Sequence, residues 1–140
     1  MEGQPVDIGE SVSLVLASQN IFGKAFYAEF FRRSPEAKAH FAGLDMERQA
    51  LSLTMALPLI EQLHRHAYPA IENYLGILGH RHGHRGIPPE LYPVWSEAML
   101  ASLARFHAEA WDAGLAGQWR EALAGASRVM LAGYGRHGGV

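Results

Sequence analysis

An all-α domain is what this 140-residue sequence predicts. Apolar residues recur at helical spacing almost throughout, and the alternation of a half-buried strand is nearly missing. Helix punctuation supports the same class. Ser34-Pro35-Glu36 has the order of an N-cap, a first-turn proline and an acidic first turn.

About seven helices follow in order. Residues from about Ile8 to Ser18 form a modest first helix. IFGKAFYAEFFRRS makes the second, with Phe22, Phe26, Phe30 and Tyr27 on adjoining faces. The short helix opened by Pro35 runs through EAKAHF to about Phe41, and Ala42-Gly43 begins a loop. ERQALSLTMALPLIEQLH is a long helix interrupted by Pro58, where a lost donor and a steric clash predict a kink. YPAIENYLGILGHRHG comes next. IPPELYPVWSEAMLASLARFHAEAWDAG is a long helix opened by prolines, and AGQWREALAGASRVMLAGY is the last. The chain reads as one domain over 1–140, with its core at about 8–134 and a tail, 135–140, of flexible composition.

Composition removes several functional classes. Net charge is -2 and 19% of residues are charged, with no basic run interleaved with aromatics, so nucleic acid is not an expected partner. There is no cysteine, which removes disulfides, thiolate catalysis and Cys-ligated zinc. No apolar run is long enough to span a bilayer, and MEGQPVDIGE has no basic leader, so the expected location is the cytoplasm.

The stretch LGHRHGHRGIPPELYP places histidines at 80, 82 and 84. Ile71, Leu75, Leu78 and His82 are spaced four, three and four apart, so they share the stripe that must face a core. His80 and His84 lie about 200° around the axis and are expected at the solvent side. They could chelate a metal as a pair, although solvated histidines are the simpler reading. His82 needs a partner for each nitrogen: either it is a core histidine bonded to backbone or Tyr92, or it is a metal ligand. Gly79 lets a flat group or another helix approach, and Gly86-Ile87-Pro88-Pro89 ends the helix just past His82.

With LGHRHGHRGI followed by PPELYP, the sequence resembles the globins, specifically the bacterial single-domain and flavohaemoglobin-like branch. FYAEFF, HF and QWREAL add matches at Tyr27, Phe41 and Trp119, so the resemblance runs from about Phe22 to Tyr134. It implies a globin fold around a pocket for haem b, with His82 as the proximal iron ligand. It further implies Tyr27 as distal hydrogen-bond donor, Phe41 packed on the haem, and Leu78, Ile87, Tyr92 and Trp95 as haem-side contacts. Trp119 corresponds to the tryptophan opening the last helix. No residue is assigned a catalytic role.

The chain departs from that branch at Pro58, at Trp95, where members usually have a smaller haem-contacting residue, and in two further places. Counting back from His82 puts the distal ligand-sensing position at Ala50, with Thr54 one turn later. Matching the local string puts it at Glu47, with Leu51 one turn later, and Leu51 itself is a third register. None is the histidine or glutamine common in the family. On the proximal side the branch uses a tyrosine and a glutamate to polarise the histidine. Tyr92 has the tyrosine's place, but the glutamate's place falls on Tyr134, which implies a less anionic His82 and favours ligand binding over oxidative chemistry.

The resemblance therefore implies reversible binding of O₂, CO or NO. The alternatives are a nitric-oxide dioxygenase served by a separate reductase, or a gas sensor signalling through a partner or a homodimer interface. No strand-linked GxGxxG for a nicotinamide or flavin module is present. His64, His66 and His107 are expected at the surface.

Overall fold

The computed structural model describes residues 6–135, and among these no strand occurs. Six α-helices and two 3₁₀ segments follow in order: α1 (Ile8–Ala17), α2 (Ile21–Arg33), a 3₁₀ helix (Pro35–Phe41), α3 (Met46–His66), α4 (Pro69–His84), α5 (Leu91–His107), a 3₁₀ turn (Ala108–Ala110) and α6 (Ala113–Ala132). Of the predicted tail at 135–140, residues 136–140 lie outside the described residues.

Local chemistry accounts for most boundaries. Asp7 caps α1, accepting from Glu10 N–H at 2.8 Å while the Glu10 carboxylate accepts from Asp7 N–H, a reciprocal capping box. Asp45 caps α3 by accepting from Glu47 and Arg48 N–H, and Asp112 caps α6 by accepting from Leu115 N–H. Ser34 does not cap as expected. Its hydroxyl donates to the Glu36 carboxylate instead, and residues 35–41 adopt the tighter 3₁₀ form.

Two predicted helices change extent. α5 begins at Leu91 rather than near Ile87, because Leu91 and Tyr92 N–H bond back to the Pro88 and Pro89 carbonyls in a turn. It stops at His107, where Ala108 takes a positive φ of 52°. α6 consequently starts at Ala113, so Trp119 lies in its second turn rather than at its opening. α3 runs through Pro58 as one element.

The core is apolar and continuous. Trp119, Phe22, Phe26, Leu57, Leu103 and Leu115 are among its fully buried side chains, drawn from α2, α3, α5 and α6. α4 packs on α6, α2 on both α3 and α5, and α1 on α3. Two crossings are close enough to require glycine. A Cβ on Gly79 would lie 1.9 Å from the Met130 carbonyl oxygen, and one on Gly23 would lie 2.4 Å from the Ala50 carbonyl oxygen. The partner that Gly79 admits is thus α6.

His107 is not a surface residue. It is buried, with Nε2 2.6 Å from Ser11 Oγ, which also accepts from Trp119 Nε1–H at 3.0 Å. His64 is half-buried, and His66 is exposed and stacks on Tyr68. No helix among the described residues is long and apolar enough to cross a membrane.

Candidate functional site

His82 occupies the last turn of α4, half-buried, on the stripe that carries buried Leu75 and half-buried Ile71 and Leu78. Its Nδ1 lies 3.1 Å from the Tyr92 hydroxyl in the first turn of α5. That contact leaves Nε2 as the nitrogen for a metal. Burial, reinforced by the Arg85 charge, lowers the imidazole pKa and so favours the neutral form that can ligate. His80 is half-buried rather than solvent-facing, because α6 crosses α4 beside it: a Cβ on Gly133 would come within 3.1 Å of the His80 backbone nitrogen. His84 is exposed, its ring 6.4 Å from that of His80. No group of three or more metal-ligating side chains occurs among the described residues.

The turn after α4 fixes where His82 stands. Gly86 takes φ +82°, and Ile87 N–H donates to the His82 carbonyl at 3.0 Å. Tyr134, at the end of α6, donates its hydroxyl to the Ile87 carbonyl at 2.9 Å and sets its ring edge-on to Tyr92. Burial, with the neighbouring Tyr134 hydroxyl, drives the Tyr92 pKa far above its ordinary value, so Tyr92 remains a neutral phenol.

The other group of expected residues gathers on α2 and its exit. Tyr27 is buried, and its ring meets Phe41 at 5.3 Å in an edge-on contact. Trp95 packs on Phe26 at 5.3 Å, joining α5 to α2. Burial raises the Tyr27 pKa, and the nearby side chain of Gln49 offsets part of that rise. The Arg85 guanidinium reaches the His40 carbonyl, bringing the end of α4 to the segment that carries Phe41.

Each residue offered for the distal position on α3 is otherwise engaged. Glu47 is exposed and pairs with Lys24 at 2.6 Å and with Asn20. Ala50 is buried against Gly23, and Leu51 is half exposed. Thr54 is buried and its hydroxyl donates to the Ala50 carbonyl. Gln49, which sequence reasoning passed over, is the α3 side chain that influences the Tyr27 hydroxyl. A signal for it was present: it is the single glutamine or histidine in MERQALSLTMA, one position from the Ala50 register.

These residues fit a large planar apolar group ligated by one imidazole. Phe41, Leu78, Ile87, Val94 and Trp95 are apolar yet only half-buried, on the elements that flank His82. Side chains of this type gain about 25 cal/mol for every Å² of apolar surface removed from water, so a group covering them is stabilised by hydrophobic burial.

The globin family model matches residues 24–130. No curated protein matches the chain. Among solved structures, the protein PA3967 from Pseudomonas aeruginosa PAO1, described as structurally highly homologous to a human hemoglobin, is similar with a TM-score of 0.78 and 26% identity. The similarity covers 93% of this chain and 100% of that one.

Proposed function

The chain belongs to the globin family, whose members carry haem and bind diatomic gases, and from that premise we propose that it holds haem b through His82 and binds O₂ reversibly, with CO and NO as further ligands. When bound, haem would supply an iron able to take up such a gas. The observation that carries the reading is the His82–Tyr92 contact: Nδ1 is engaged and Nε2 is left to ligate.

Each remaining residue has a defined part. Tyr92 accepts from Nδ1–H and so fixes the imidazole tautomer. Phe41, Leu78, Ile87 and Trp95 wall the group and keep water from it. Tyr27, with Gln49 beside it, supplies a hydrogen-bond donor for a polar diatomic ligand.

Visible spectra of haem-reconstituted protein, ferrous and ferrous-CO, test the assignment in wild type and His82→Ala. An intense Soret band that shifts with CO and is lost or recast in the variant supports it. Stoichiometric haem binding with the same spectra in both proteins overturns it. Nitrate production driven by NO in the presence of a separate reductase would redirect the role from gas binding to dioxygenase turnover.

A further inference from the structure

We propose that α1 is a detachable latch on the corner between α5 and α6, opened when His107 takes up a proton. The proposal stands apart from the His82 site. Three polar contacts tie α1 to that corner and to α6. Gln118 Oε1 accepts from Ile8 N–H at 2.9 Å, and Ser11 Oγ accepts from Trp119 Nε1–H at 3.0 Å. The same Ser11 oxygen lies 2.6 Å from His107 Nε2. Ser11, Trp119 and His107 are all buried, and Ile8, Val12 and Val15 share the buried face of α1 with Ser11.

The backbone on both sides of this contact is suited to a latch. Ala108, next to His107, takes φ 52° and ψ -117°, a strained conformation that persists only where its surroundings impose it. The His107 ring supplies that constraint, held by Ser11 and lying parallel to the Trp111 ring 6.2 Å away across the turn. At its other end α1 is joined to α2 through residues 18–20, where Gln19 takes a positive φ of 58°. The Asp7–Glu10 capping box is internal to α1, so undocking does not remove it.

Neutral His107 suits this setting and an imidazolium does not. From α1 the ring meets a hydroxyl and from the turn an indole, neither of them charged. The charges on the surrounding elements are engaged elsewhere. Asp7 and Glu10 close the capping box of α1, Arg105 of α5 is turned to Glu29 of α2, Asp112 caps α6, and Arg120 of α6 pairs with Glu97. On α3, Glu61 pairs with Arg65, while Glu109 in the turn is exposed. Burial is accordingly the cause that lowers the His107 pKa. A proton from water therefore favours states in which the ring reaches solvent. Of the elements around it, α1 is the ten-residue helix at the end of the chain, and it leaves with the least disruption.

Hydrogen exchange read by mass spectrometry tests the latch in the full-length protein as isolated. Wild type, His107→Gln and Ser11→Ala are compared at neutral pH and about one unit below the ordinary histidine pKa of 6.5, with intrinsic exchange rates divided out. In wild type the amides of α1 and of residues 107–113 should exchange roughly tenfold faster at the lower pH, while those around Leu75 of α4 and Leu57 of α3 keep their protection. His107→Gln should abolish the acid acceleration, and Ser11→Ala should show fast exchange in α1 already at neutral pH.

Acceleration of α1 in step with α3 and α4 in wild type overturns the proposal, because acid would then loosen the whole fold at once. An equal acceleration in folded His107→Gln overturns it too, by placing the proton on another group. The wild-type pattern alone decides the first point, whatever the stability of the variants.

Discussion

The side chain of Gln49 in the first turn of α3 stands close enough to Tyr27 on α2 to oppose the rise that burial imposes on its pKa. That approach lies beside the crossing where Gly23 lets the backbone of Ala50 come close. Ala50 faces this crossing, whereas Gln49 is rotated about 100° around the helix, toward Tyr27.

Tyr27→Phe and Gln49→Leu should each speed O₂ dissociation in haem-loaded protein. One hydrogen bond of about 1 kcal/mol corresponds to a roughly fivefold change in rate. CO, which carries less charge when bound, should respond less. Flash photolysis or stopped-flow ligand replacement measures both. Equal effects on the two gases would show that the substitutions act through pocket shape rather than hydrogen bonding.

The helices and the His82 stripe were legible in the sequence because helical periodicity is a local property that survives without knowledge of neighbours. Gln49 was not, because the distal register depends on how far α3 slides along α2, and the Gly23–Ala50 contact that sets this slide is tertiary. His107 was misplaced for a related reason. It follows exposed Arg105 and Phe106 in a polar-looking stretch, and only α1, packing from the far end of the chain, brings Ser11 to cover it. Likewise His80 is half-buried because α6 lies across α4. Tertiary packing of helix on helix, not helix content, was the hidden part.

Gly79→Ala should destabilise the fold and weaken haem retention together. The added methyl meets the Met130 backbone oxygen, which no rotamer change relieves, so α4 and α6 must separate. Overpacking of this kind costs about 1–3 kcal/mol. Urea denaturation and haem transfer measure the two effects. Gly117→Ala, where a Cβ meets nothing within 4 Å, is the matched control and should be neutral or stabilising.

Ala108→Gly should stabilise the protein. Ala108 sits at φ 52° and ψ -117°, where a Cβ is strained and glycine is not. Ala67, the C-cap of α3 at φ 52° and ψ 41°, is in the milder left-handed region and should gain less on substitution by glycine. Relief of strain at Ala108 is expected to be worth about 1 kcal/mol, read as a rise in melting temperature. A fall would mean that the flexibility added to the unfolded chain outweighs the strain removed.

Glu29 gives the fold a defined acid sensitivity. It is only 5% exposed, and hydrogen bonds from Arg32 and then Arg33 hold its carboxyl pKa down at about 2, against an ordinary 4.5. Arg105 from α5 reaches the same carboxylate at 3.4 Å. A depressed folded-state pKa means the unfolded chain takes up the proton first. The contribution is therefore whole above about pH 4.5 and is lost as pH falls toward 2. Glu29→Gln should cost about 1–3 kcal/mol at neutral pH and flatten the stability profile through that acid window. Urea titrations at successive pH values measure the slope, and an unchanged slope in the variant would remove Glu29 from the account.

Ser11→Ala tests the buried contact between the two ends of the chain. Ser11 Oγ accepts from Trp119 Nε1–H and shares a second hydrogen bond with His107 Nε2. Removing the hydroxyl strands an indole donor and an imidazole nitrogen in the core, at a cost of about 1–3 kcal/mol. Burial lowers the His107 pKa, so the unfolded chain binds its proton more readily than the folded one. Stability from this group is present above the ordinary histidine pKa of 6.5 and declines as pH falls below it toward the folded value. His107→Gln keeps an amide within reach of Ser11 but cannot titrate. It should erase the decline just below pH 6.5 while leaving the Glu29 window at lower pH in place. Thermal melts of both variants across that range separate the two, and a His107→Gln profile parallel to wild type would show that the decline arises elsewhere.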